Sequence, residues 1–137
     1  LKMGLVRSNK TTISVTDDKK LTPYLWTIIK EIIKTAIENG QNLIVEGCYI
    51  PFDWAKDFNK EYLLQIKYYC LIMSKNYIEK HFADILANES IVEQRLTSGD
   101  LEQGNLIKEN VSNLQMCKKY GLNYILIDTE YKVDIDL

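Results

Sequence analysis

The chain has 137 residues, 46% of them hydrophobic and 26% charged, with only two prolines; this is enough for one buried core and excludes disordered, collagen-like and linker classes. Seventeen basic against nineteen acidic side chains leave a net charge of −2, which argues against a nucleic-acid partner held by phosphate contacts. The longest apolar run, Tyr68 to Met73, is far below the roughly 20 residues of a membrane span, and nothing resembles a signal peptide, so a soluble cytoplasmic protein without a membrane partner is expected.

The first periodic segment begins at Leu21-Thr22-Pro23, where Thr can cap a helix and Pro suits its first position. Leu25, Ile28, Ile29, Ile32, Ile33, Ala36 and Ile37 follow at spacings of three and four, and Gly40 closes the run, which predicts an amphipathic helix. Asn42-Leu43-Ile44-Val45-Glu46-Gly47 comes next, an apolar run of strand length ending on an acid and a glycine; it predicts a buried parallel strand. Asp53 is placed to cap a helix over about 54–64. A second strand is expected over 66–73, with Ser74 capping a helix whose stripe is Ile78, Phe82, Ile85 and Leu86. The polar, glycine-containing stretch from Thr97 to Gly104 predicts a loop or flap. A helix from Asn105 then turns Ile107, Val111, Leu114 and Cys117 inward and ends at Tyr120-Gly121, before a third strand over 123–128.

Helices alternating with short apolar strands, and no hairpin signal between them, predict an α/β fold with parallel pairing. Ligands of such sheets collect beyond the carboxyl ends of the strands. Those ends are Glu46-Gly47-Cys48, Ser74-Lys75 and Asp128-Thr129, so one rim carrying all three is expected.

Cys48, Cys70 and Cys117 form no C-x-x-C pair, which fits a reducing compartment. Cys70 and Cys117 fall on apolar faces and are expected as small core residues, whereas Cys48 stands beside a strand end. His81 is the only histidine, and its expected helix offers no second ligand for a zinc site. Arg7 and Arg95 are the only arginines, so two rigid guanidinium forks stand out among lysines.

The strand ending Leu43-Ile44-Val45-Glu46-Gly47 resembles a Walker B segment. With the long helix before it, the strand leading into a helix near Met73, Arg95 ahead of a polar flap, and the final Ile125-Leu126-Ile127-Asp128, the chain resembles the adenylate-kinase-like branch of the P-loop kinases. The likeness is greatest to small bacterial proteins described as adenylate kinases or 2-phosphoglycerate kinases. It is carried by 16–26, 42–54 and 117–128. No G-x-x-x-x-G-K-[ST] occurs among the six glycines, although such kinases cradle phosphates with it. By the resemblance the motif and the first, central strand belong before Leu1, and the chain is expected to be most of a kinase rather than a whole one.

The resemblance implies a three-layer kinase-like domain over 1–137, with 1–21 an acceptor-binding arm and 97–104 a lid-like flap. It implies ATP and Mg²⁺ as cofactors and a small-molecule phosphate acceptor as partner. Glu46 then belongs to the magnesium shell, Glu46 and Gly47 to the nucleotide site, and Arg95 is the lid arginine closing on ATP phosphates. Arg7 suits a phosphate or carboxylate of the acceptor. Asp17 and Asp18 either orient acceptor hydroxyls or simply precede the helix, and Tyr49, Asp53 and Trp54 lie where an acceptor would sit, with core packing the competing role for Trp54. Two arginines do not reproduce the arginine cluster of true adenylate kinases. The alternative expectation is a noncatalytic α/β binding or interaction domain that lost the phosphate cradle, and a third is a homo-oligomer formed through an uncovered sheet edge.

Overall fold

The computed structural model describes residues 18–88 and 101–135. Arg7, Asp17, Arg95 and the first four residues of the expected flap lie outside them. The chain divides into two compact units, 1–67 and 68–137.

In the first unit, α1 spans Asp18–Glu38. It begins four residues before the expected Thr22 and carries Pro23 as its sixth residue. A proline there forgoes one backbone hydrogen bond, the one that would run to the Lys19 carbonyl. Leu21, fully buried, holds the turn ahead of it. The apolar stripe packs through Leu21, Trp26 and Ala36, while Ile28 and Ile32 remain exposed.

The strand expected over 42–47 is not formed: residues 41–46 are irregular, and Ile44 is 71% exposed. An apolar run becomes a buried strand only with a ladder neighbour and covered faces, and no described strand pairs with it. The helix expected over 54–64 is two pieces, a 3₁₀ turn at Trp54–Asp57 and α2 at Lys60–Leu63. The break is at Phe58, which turns extended (φ −124°, ψ 141°) and buries its ring between Trp26 and Trp54, at centroid distances of 6.1 and 5.9 Å. Asn59 restarts the helix by accepting the Tyr62 N–H at 3.1 Å. Asp53 does not cap; its carboxylate pairs with Lys56 instead.

In the second unit, β1 (Cys70–Met73) and β2 (Tyr124–Ile127) pair in parallel, with Cys70 opposite Tyr124 and Met73 opposite Ile127. The strands are connected through α3 (Lys75–Asn88) and α4 (Gln103–Tyr120). Mixed helix and strand with parallel pairing is compatible with the expected α/β class, and the described sheet has two strands in an open arrangement. A two-stranded sheet is marginal by itself. Here α4 packs on β1 and α3 on α4, burying Ile72, Ile78, Cys117 and Ile127.

Ser74 caps α3 as expected, accepting the Tyr77 N–H at 3.0 Å on its hydroxyl. The helix is interrupted at His81 (φ −115°, ψ 16°), whose ring stacks on Tyr77 at 4.6 Å. Gln103 and Gly104, expected in the flap, form the first turn of α4. The expected stripe of α4 holds at Cys117, which is fully buried, with Ile107 and Leu114 half-buried, but not at Val111, which is 48% exposed while its neighbour Asn110 is buried. Gly121 ends α4 with a left-handed φ of 63°, its N–H bonding back to the helix, the conformation that glycine adopts at least cost.

Candidate functional site

Of the three expected strand ends, β1 and β2 supply two in one place. The Ser74 N–H donates to the Ile127 carbonyl at 2.9 Å, so the ladder continues one residue past β1 and sets Ser74 beside the end of β2. Asp128 and Thr129 follow directly. The parallel register makes both strands stop at the same level, and α3 starts there with its positive dipole end.

Beyond β2 the chain borders an open depression of about 370 Å³, lined by Leu126, Asp128, Thr129, Glu130, Lys132 and Asp134 among others. It offers carboxylates, one hydroxyl and one ammonium, a donor set for a polar ligand. Lys75, at the start of α3, is largely exposed and faces Glu79 at 3.6 Å. Among the described residues no three His, Cys, Asp or Glu side chains are grouped to hold a metal ion. Asp128 is the acid that directly follows β2.

The third expected rim member belongs to the 1–67 unit. Glu46 is exposed on irregular backbone rather than at a strand end. Gly47, at φ 146°, holds a conformation that a side chain would strain. Tyr49 is half-buried. Trp54 is buried and packs edge-on against Phe58.

Two polar constellations stand apart from the expected residues. Asp57 accepts the Trp26 indole N–H at 2.7 Å and faces the Lys30 ammonium at 3.4 Å. The indole hydrogen bond, then Lys30, hold its carboxyl below the usual range, against the opposing effect of burial. In the second unit Asn110 accepts the Met73 N–H at 2.8 Å and donates to the Leu106 carbonyl at 2.9 Å. The sequence does carry a sign of Asn110: it lies four residues before Leu114 and seven before Cys117, a polar side chain on an otherwise apolar helical face.

A groove of about 940 Å³ runs along α1 in the first unit, with Ile28, Ile32, Ala36 and Leu43 on its walls. No described helix is long and apolar enough to cross a membrane. No family model matches the chain, and neither a curated protein nor a solved structure shows a significant match to it.

Proposed function

We propose that the chain works in Mg²⁺-ATP-dependent phosphoryl transfer to a small-molecule acceptor, as part of a kinase of the P-loop type with a three-layer α/β architecture. The observation that carries this reading is the level strand-end rim, where the Ser74 N–H meets the Ile127 carbonyl and Asp128 follows. In this reading α3 begins at the anionic end of the ligand and Asp128 joins the magnesium shell. Magnesium, when bound, neutralises charge on the phosphate oxygens. No G-x-x-x-x-G-K-[ST] cradle is among these 137 residues, and in this reading their own phosphate contacts come from the start of α3. Acceptor contacts by Arg7, Asp17, Tyr49 and Asp53, and a lid role for Arg95, rest on the resemblance alone.

A second reading is a noncatalytic α/β binding domain, favoured by the placement of Glu46 on exposed irregular backbone. The two are separated by calorimetry with Mg²⁺-ATP and by following label from the γ-phosphate of ATP into hydroxylated and phosphorylated small metabolites. Ligand at one hundred times its Kd stabilises the folded state by about 2.7 kcal/mol. The kinase reading expects such a shift in melting temperature together with transfer that Asp128→Asn abolishes. A shift without transfer supports the binding domain, and no shift with Mg²⁺-ATP overturns nucleotide binding by this chain.

A further inference from the structure

α4 lies against β1, and two side chains along it mark opposite ends of that contact. Asn110 grips the carboxyl end of β1 through the Met73 N–H at 2.8 Å. Cys117 comes seven residues later on α4, about 10.5 Å along a helix at 1.5 Å per residue. Cys70 comes three residues earlier on β1, about 10 Å along a strand at 3.3 Å per residue. An antiparallel helix with Asn110 at Met73 therefore brings Cys117 level with Cys70.

The returning backbone sets the same register. The Leu122 N–H donates to the Cys117 carbonyl at 2.9 Å, and the Cys70 N–H donates to the Asn123 carbonyl at 3.0 Å, so both cysteines are anchored to adjacent residues of one short connection. Ile72 shares the face of β1 that carries Cys70, by strand alternation, and it is buried as Cys117 is. Cys117 and Tyr68 are the side chains that act on the Cys70 thiol.

We propose that Cys70 and Cys117 form a reversible dithiol site, which a small-molecule disulfide oxidises to a bond that staples the end of α4 to the start of β1. The two differ in access, and this orders the steps: Cys117 is fully buried and Cys70 is half-buried. The Cys70 thiolate attacks one sulfur of the small disulfide, breaking its S–S bond, forming a mixed disulfide at Cys70 and releasing the first small thiol. Cys117 then attacks the Cys70 sulfur and expels the second. Two protein thiols are oxidised, one small disulfide is reduced to two thiols, and the two protons pass to the thiols released.

Burial, then the neighbouring Cys117 thiol, pushes the Cys70 thiol up to about 11, while the Tyr68 hydrogen bond acts in the opposite direction. The thiolate fraction at neutral pH is therefore small, and the pair closes slowly there. That separates it from the fast, low-pKa thiols of oxidoreductases.

The test uses the full chain with Cys48→Ser, which removes the exposed thiol, incubated with glutathione disulfide under native conditions. The intact mass is expected to fall by two hydrogens, non-reducing peptide mapping to join the Cys70 and Cys117 peptides, and the melting temperature to rise by about 5 °C or more, reverting with dithiothreitol. Cys70→Ser in the same background is expected to lose the joined peptide and the rise. Retention of glutathione at Cys70 without closure overturns the proposal, as does full alkylation of both cysteines after oxidation. A joined peptide that forms only in denaturant overturns it too.

Discussion

Asn110 Oδ1 accepts the backbone N–H of Met73 at 2.8 Å. Cys70 and Ser74 direct their N–H groups to β2, so the N–H of Met73 points to the other edge of β1, where a further strand would pair. A helix side chain thus satisfies a donor that the described sheet leaves to the outside. Asn110→Leu removes the acceptor while keeping the bulk, leaving a largely desolvated N–H without a partner at a cost of about 1–3 kcal/mol. Denaturant titration is expected to show a lower midpoint with unchanged slope, and hydrogen exchange to show faster loss of protection at Met73. An unchanged midpoint would remove Asn110 as a structural tie.

Asp57 ties α1 to the 3₁₀ turn through Trp26 and Lys30. Its folded pKa lies below the unfolded value near 3.8, so its contribution is fully present above that unfolded value and is lost as pH falls through the lower folded one. Asp57→Asn is therefore expected to flatten the decline in stability below about pH 4, measured by unfolding free energy between about pH 2 and 6. Trp26→Phe keeps a buried aromatic ring and loses the indole donor, and is expected to cost about 1.5 kcal/mol at neutral pH. An acid profile of Asp57→Asn that matches the parent chain would contradict this account of Asp57.

Glycine to alanine is expected to act with opposite signs at two ends of α4. At Gly121, with φ of 63°, the added Cβ meets no neighbour but strains the left-handed backbone, costing about 1–2 kcal/mol. At Gly104, inside the first turn, space is also open. There alanine adds helix propensity, and stability is expected to be unchanged or to rise by up to about 1 kcal/mol. Thermal unfolding of the two variants side by side checks both signs.

How far the fold could be read from the sequence follows from which elements are determined locally. The three-and-four spacing from Leu25 to Ile37, the Ser74 cap and the Gly121 stop are local signals, and each marks an element in the structure. The run Leu43-Ile44-Val45 is as wholly apolar as Leu71-Ile72-Met73, yet only the second is a strand. A strand is set by its ladder partner, and that information lies far away in the chain. In the stripe of α4 one position departs: an apolar pattern gives Val111 the preference over Asn110, whereas the Met73 N–H requires an acceptor on that face. The strand-end rim was legible in part: Ser74 and Asp128 follow from strand ends, but the irregular backbone at Glu46 depends on pairing that composition does not encode.

Residue-resolved chemical-shift perturbation with Mg²⁺-ATP is the most direct measurement of the central claim. Binding at the rim is expected to move the amides of Ser74, Lys75, Asp128 and Thr129 together and saturably, and Asp128→Asn to weaken the titration about tenfold or more. Shifts confined to other residues, or none at these four amides up to millimolar Mg²⁺-ATP, would contradict nucleotide binding at the strand ends.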